Sequence, residues 1–232
     1  MEKRTKLSII IPAYNEEKTI SELLDRVGRM KIKGIKKEII IVDDGSTDRT
    51  GDILKKLVKK YKVVFHEKNL GKGAAVISGI KKSTGDIILL QDADLEYDLS
   101  DYPLLLVPIM NGKTKVVFGS RFLYKKNKPR YFLYYLGNIF LSLFTKVLYL
   151  RNISDMETGY KVFRKEVLAD INLKSKGFEF EPEITAKIIK KGYKILEVPI
   201  KYQCRSFKDG KKISWKDGVK AAYYLIKYRF SE

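Results

Sequence analysis

Gly85-Asp86-Ile87-Ile88-Leu89-Leu90-Gln91-Asp92-Ala93-Asp94-Leu95-Glu96-Tyr97-Asp98 joins an unbroken apolar run to a burst of acids. Ile87 to Leu90 have the length and composition of a strand covered on both faces, which is the habit of central parallel strands. Carboxylates begin where that run stops. Residues two apart in an extended backbone point the same way, so Asp92 and Asp94 are expected to share one face just beyond the strand, with Glu96 next in the series. Three carboxylates converging at a strand's end call for a cation. Oxygen-only ligands suit magnesium or manganese, and magnesium usually completes its shell with water and substrate phosphates. A bare Asp-x-Asp also reads as a loop of solvated acids, and the flanking sequence separates the two readings.

Upstream, Leu7 to Ile11 reads as a strand ended by Pro12, followed by polar Ala13 to Glu17 and a helical pattern through Ile20, Leu23, Leu24 and Val27. Glu38 to Val42 is a second strand, stopping at Asp43-Asp44-Gly45-Ser46, and Thr47-Asp48 then supplies a cap for a helix carrying Ile53, Leu54, Leu57 and Val58. Val63 to Phe65 is a third, after which Asn69-Leu70-Gly71-Lys72-Gly73 opens a small-residue helix from Ala74 to Ile80. Strands alternating with helices at this spacing predict an α/β domain whose central sheet is mostly parallel, joined by right-handed crossovers and flanked by helices. Ligands of such open sheets sit in the crevice beyond the carboxyl ends of the strands. Every polar cluster named so far falls there.

A chain of 232 residues can bury a sizeable core. Its 47 basic and 28 acidic residues, net +19, should draw it towards polyanions: nucleic acid, an anionic membrane face or phosphorylated substrates. Cys204 is the single cysteine, which rules out an internal disulfide and reads as a packing residue in a reducing compartment. Met1 to Lys6 lead straight into a strand-like run, so no signal peptide is expected.

Asp43 and Asp44, ending the second strand, are candidates to accept hydrogen bonds from a base or ribose; they also suit a turn before Gly45. Lys72, between glycines at a helix start, could meet a phosphate, because free amides and the helix dipole favour an anion there; an exposed turn lysine is the other reading. The Walker spacing is missing, and no Gly-x-Gly-x-x-Gly follows the first strand, which counts against a dinucleotide-binding dehydrogenase. His66 is the only histidine, so histidine-based metal sites and Ser-His triads have little support, and it reads as a strand-end polar residue.

Ile10-Ile-Pro-Ala-Tyr-Asn-Glu-Glu17, Val42-Asp-Asp-Gly-Ser-Thr-Asp48, Asn69-Leu-Gly-Lys-Gly-Ala-Ala75 and Gln91-Asp-Ala-Asp-Leu-Glu96 resemble the ordered motifs of family-2 glycosyltransferases, in the branch of dolichyl-phosphate mannose synthase and its polyprenyl-phosphate relatives. The likeness continues through Phe118-Gly-Ser-Arg121, Asp155 to Phe163, Phe178 to Glu183 and Gly210 to Ile213. It implies a single GT-A-like glycosyltransferase domain over 1–232, with residues 1–123 binding a nucleotide-sugar and 124–232 facing acceptor and membrane. Carried over by position, Pro12, Ala13, Tyr14 and Glu16 would line the nucleotide pocket, Asp44 would contact the base, and Asp92, Asp94 and Glu96 would serve Mg2+ or Mn2+. Glu96 stands where some relatives have Gln; a carboxylate remains a competent ligand.

The resemblance also implies inversion at the sugar carbon by single displacement, with GDP-mannose or a UDP-sugar such as UDP-glucose as donor. A polyprenyl phosphate acceptor, with its second pKa near ~6, is mostly charged at neutral pH and needs no general base. The site must then supply positive charge, and Arg121 is the first candidate to hold the acceptor phosphate, with Arg130, Arg205 and Lys212 behind it. Transfer to a sugar hydroxyl would instead need a carboxylate base, for which Asp155 and Glu157 are available. Residues 131–150 are the most apolar stretch. Asn138, Ser142, Thr145 and Lys146 interrupt it and Lys125, Lys126, Lys128, Arg130 and Arg151 flank it, which suits a helix lying in the headgroup plane of an anionic membrane rather than a span. Trp215 to Phe230 has the same character. A peripheral protein on the cytoplasmic face is expected. A nucleic-acid-binding protein would explain the charge but not the ordered acids at strand ends, so no nucleic acid partner is expected. The missing Gly-rich first loop argues against a nucleotidyltransferase.

Overall fold

The computed structural model of the protein describes residues 5–206 and 215–231. Lys212 lies outside the described residues. Among those described, seven strands form one sheet: β1 (Thr5–Ala13), β2 (Ile35–Asp43), β3 (Lys62–Phe65), β4 (Ile87–Leu90), β5 (Val116–Ser120), β6 (Lys161–Arg164) and β7 (Ile195–Pro199). Their spatial order is β3-β2-β1-β4-β6-β5-β7. β1 runs parallel to β2 and β4, β2 to β3 and β5 to β7, while β6 is antiparallel to both its neighbours. The expected mostly parallel sheet is therefore present. The halves divided at residue 123 share it, because β6 lies between β4 and β5.

Alternation along the strands builds two apolar layers. Leu7, Ile9 and Ile11 of β1 pack with Ile87 and Leu89 of β4 against α1 (Ile20–Arg29) and α4 (Tyr102–Met110). Ile10, Ile88 and Leu90 face the other way, against α3 (Lys72–Lys82) and α7 (Phe180–Lys190). Each of these fully buried aliphatic side chains contributes roughly 1.5–3 kcal/mol to folding. Gly79 lets α3 lie close on β1, since a Cβ there would stand 2.4 Å from Ile10 Cγ2.

β1 does not stop at Pro12 but runs on to Ala13, paired with β2 in the register Pro12↔Val42 and Ala13↔Asp43. In a parallel strand one residue's N–H and C=O face the same neighbour, and alternate residues face alternate neighbours. Ala13 O accepts from Asp44 N on the β2 side and Ile10 O from Gln91 N on the β4 side, so Pro12 faces β4 beyond its last paired residue, Leu90. Its missing donor breaks no ladder bond.

A third apolar cluster joins α5 (Phe132–Tyr149), α7 and α8 (Trp215–Phe230). Leu141, Ser142, Thr145 and Tyr149 form the buried side of α5. Its opposite side is apolar and open: Leu133 is 79% and Val147 66% exposed, with Phe132, Phe140 and Leu143 also outside. By length and composition α5 could cross a membrane. The remaining helices, α2 (Thr50–Lys55) and α6 (Lys165–Ala169), are short.

Candidate active site

A cavity of about 900 Å³ opens at the carboxyl ends of β1, β2 and β4. Pro12, Ala13, Tyr14 and Glu16 line it from β1 onward, Asp44 from the end of β2, and Lys72 from the start of α3. Asp92, Asp94, Glu96, Arg121 and Arg205 line it too. Its far wall is made by Leu133, Phe140 and Leu141 of α5 with Val219 and Ala222 of α8. The strand-end rule thus brought most of the expected residues together. Two are elsewhere. Asp43 is buried away from the cavity and accepts from Ser46 N at 3.2 Å, so it is the turn former of that pair. Arg130 is exposed on the surface and donates to Cys204 O.

The acidic loop departs from the extended geometry that alternation assumed. The backbone turns at Ala93–Asp94, Leu95 takes a left-handed φ of 60°, and Asp94 accepts from Glu96 N at 3.1 Å. Glu96 is swung aside: it accepts from the Tyr202 hydroxyl and from Arg205 N. The three carboxylates therefore do not converge as a trio, and among the described residues no group of three metal-binding side chains is assembled. Asp92 and Asp94 still suit a hard cation. Burial, with the charges of Asp92 and Glu96, pushes the Asp94 carboxyl up to about 7 although Arg205 opposes the shift. Two crowded carboxylates whose remaining ligands would come from water and a diphosphate match how magnesium is held.

Basic side chains fill the spaces between the acids. Arg205 pairs with Glu16 through two hydrogen bonds of 2.9 Å and stands 3.9 Å from Asp94 and 3.8 Å from Glu96. Rather than joining Arg121 in a basic cluster, it sits among the acids at the strand ends. Lys72 Nζ lies 2.8 Å from Asp92 and 3.1 Å from Glu181. Burial works against its charge, but those two carboxylates outweigh it and raise the pKa. The amides expected to be open at the start of α3 are taken: Gly73 and Ala74 donate to the carbonyls of Gly177 and Lys176, and Leu70 and Gly71 donate to Asp44. Asp44 also meets His66 Nδ1 at 2.7 Å, whose other nitrogen meets Ser78.

Arg121 is fixed by Asp155, which accepts from its Nε at 2.7 Å, its Nη2 at 2.6 Å and its backbone N at 2.9 Å, and from Asn138 Nδ2 at 3.1 Å. Burial would raise the Asp155 carboxyl, yet Arg121 outweighs it and holds it below the ordinary value. Fully buried and saturated, Asp155 is unsuited to act as a base. Glu157 differs. It lines the cavity, its Oε1 has no hydrogen-bond partner among the described residues, and burial, then the charge of Glu181, push its carboxyl up to about 7.

Several residues of the site lay beyond sequence reasoning. Lys161 is wholly buried and donates to Met156 O, Thr158 O and Glu181, so Glu181 links two lysines, one reaching Asp92 and the other holding the turn of Glu157. A lone lysine inside Tyr160-Lys161-Val162-Phe163 was the available signal. Tyr97 stacks on Tyr160 at 4.4 Å and accepts from Gly159 N, and Tyr202 lies under Arg121 at 5.1 Å.

Residues 8–171 match the family described as glycosyl transferase family 2. The chain belongs to that family. It is 35% identical over 214 residues to a dolichol-phosphate mannosyltransferase of Pyrococcus furiosus, covering 87% of this chain and 57% of that relative. It is 30% identical over 238 residues to a dolichyl-phosphate beta-glucosyltransferase of Trichomonas vaginalis, covering 95% and 72%. The chain thus spans little more than half the length of the mannosyltransferase. Among solved structures, glucosyl-3-phosphoglycerate synthase of Mycobacterium tuberculosis with Mn2+, UDP-glucose and phosphoglyceric acid superposes with a TM-score of 0.74 at 19% identity, covering 98% of this chain and 81% of the synthase. The UDP complex of the same synthase gives 0.77 at 20% identity. The chain and these synthase structures share the GT-A-like α/β architecture.

Proposed function

We propose that this family-2 chain is a metal-dependent inverting glycosyltransferase that moves a hexose from a nucleotide-sugar of the GDP-mannose or UDP-glucose type to a polyprenyl or dolichyl phosphate, at the cytoplasmic surface of a membrane. One observation carries the reading: a single cavity is lined both by the charged strand-end residues and by apolar side chains of α5 and α8, with Arg121 on its wall. An acceptor that is phosphate at one end and hydrocarbon at the other matches that lining. Transfer between dolichyl phosphate and a sugar is also what the names of the two sequence relatives state of those proteins.

A polyprenyl phosphate arrives already charged, its second pKa near ~6, so no proton need be removed. The chain's task is to hold two anions in line. Arg121 keeps N–H groups to spare after Asp155 has fixed the orientation of its guanidinium, and these can receive the acceptor phosphate. A divalent ion held by Asp92 and Asp94 would neutralise the departing nucleoside diphosphate. Lys72 adds a second positive charge beside Asp92. The exposed apolar side of α5, flanked by Lys125, Lys126, Lys128, Arg130 and Arg151, suits insertion among anionic headgroups.

The test is a donor screen, UDP-glucose and GDP-mannose with Mg2+ or Mn2+, against a short polyprenyl phosphate and against sugar hydroxyl acceptors. Formation of a lipid-phosphate-linked sugar from one donor is expected. Transfer to hydroxyls with the phosphate ignored would overturn the acceptor assignment.

A further inference from the structure

Glu157 stands on a tightly held turn, and its own Oε1 has no hydrogen-bond partner among the described residues. On one side Asp155 is saturated by Arg121 and Asn138, and its own N–H donates to Glu197 at 3.0 Å. On both sides of Glu157 the carbonyls of Met156 and Thr158 are held by Lys161, and Gly159 N donates to the Tyr97 hydroxyl at 2.7 Å. From 155 to 160 Glu157 is the one residue that is not buried, and it lines the cavity. Its Oε1 is shielded from water and has no hydrogen-bond partner among the described residues. A shielded, unpaired carboxylate oxygen is unfavourable. Asn138 Oδ1, on the α5 wall of the same cavity, is the other buried acceptor without a partner among the described residues, and both face the space a ligand with donor groups would fill.

The ligand must bring O–H or N–H groups. Phosphate oxygens are acceptors, and a carboxylate repels them. The place is also defined: Gly159 brings the turn so close to Asp92 that a Cβ on it would stand 2.0 Å from Asp92 Oδ2, and the charges acting on Glu157 are those of Glu181, Lys161, Arg121 and Lys72. This is beside the carboxylate assigned to the diphosphate and apart from Asp44, on which the base would sit. The group bonded to a nucleotide's diphosphate there is the sugar. Because the acceptor phosphate needs no base, Glu157 has no proton to remove. We infer that Glu157 is a donor-specificity residue, accepting hydrogen bonds from hydroxyls of the hexose carried by the nucleotide-sugar.

The inference rests on the glycosyltransferase reading, and binding assays separate the two. UDP-glucose, GDP-mannose, UDP and GDP are titrated calorimetrically with Mn2+ into the wild type, Glu157→Ala and Glu157→Gln, with thermal melts confirming folding. Loss of hydrogen bonds to a charged acceptor should weaken the bound nucleotide-sugar by roughly ten- to hundredfold in the alanine variant, while its parent nucleoside diphosphate changes less than about twofold. Glu157→Gln keeps an acceptor oxygen and the side chain's shape, so it should turn over at raised KM. Equal weakening of diphosphate and nucleotide-sugar would place the contact on ribose or phosphate and overturn the inference, as would unchanged binding of both. A glutamine variant with normal nucleotide-sugar binding and no turnover would make Glu157 a general base and overturn it too. A wild type that binds nucleotide-sugar but transfers nothing to polyprenyl phosphate overturns the acceptor reading and leaves the Glu157 comparison standing.

Discussion

Replacing Glu157 by glutamine should stabilise the protein, and by an amount that depends on pH. The Glu157 carboxyl is pushed up to about 7 from an ordinary 4.5, chiefly by burial and then by Glu181, and that shift already includes the opposing pull of Lys161, Arg121 and Lys72. The sign follows from linkage. Between the two pKa values the folded state holds a proton that the unfolded chain has lost, so stability falls as pH rises through this window. At about 1.36 kcal/mol per pKa unit, the ionised carboxylate costs about 3 kcal/mol at pH 8 relative to a side chain that is always neutral. At pH 5 the folded group is protonated and the difference shrinks to about 1 kcal/mol. Equilibrium urea unfolding at pH 5, 6, 7 and 8 measures it: with a slope near ~3 kcal/mol per M for a chain of this size, the variant's midpoint should lie about 1 M above the wild type at pH 8 and nearly meet it at pH 5. A variant less stable than the wild type at pH 8, or a gap that does not close on acidification, would refute the reasoning. A residue whose removal strengthens the fold while weakening substrate binding is kept for function.

Asp155→Ala leaves the Arg121 guanidinium buried without its partner, so a loss of about 3–5 kcal/mol is expected in urea unfolding, together with loss of transfer to the phosphate acceptor. Gly159→Ala drives a Cβ into Asp92; the variant should fold, and calorimetry should find nucleotide-sugar affinity with Mn2+ reduced at least about tenfold. Leu143→Ser with Val147→Ser removes two exposed apolar side chains of α5 that do not line the cavity; co-sedimentation with vesicles containing phosphatidylserine should fall several-fold, with soluble turnover of the donor unchanged. Unchanged co-sedimentation would remove α5 from the membrane account.

What the sequence displayed depended on how local each signal was. Ile87 to Leu90 is a strand with the predicted bounds, because a short run buried on both faces needs no partner to be recognised. Ile20, Leu23, Leu24 and Val27 are the buried stripe of α1, as their spacing predicts. β6 is different: four residues, one a buried lysine, lie antiparallel between β4 and β5, and only a pairing distant in sequence makes them a strand. The same distinction holds in the site. Strand-end placement located Asp44, Lys72, Asp92 and Asp94, whereas alternation failed for Glu96 because the chain turns at Ala93–Asp94 and Tyr202 draws the carboxylate away. Arg205 pairs with Glu16 across 189 residues, and the ties of Lys72 and Lys161 to Glu181 also cross distant parts of the chain. No local pattern in sequence encodes such pairs.

The central claim is that Asp92 and Asp94 bind nucleotide-sugar through a divalent cation, and a manganese titration of donor affinity tests it most directly. UDP-glucose and GDP-mannose binding should rise saturably with Mn2+ in the wild type for the preferred donor, vanish with chelator, and lose its Mn2+ dependence in Asp94→Asn. Equal donor affinity and transfer rate with Mn2+ and with chelator would contradict the account.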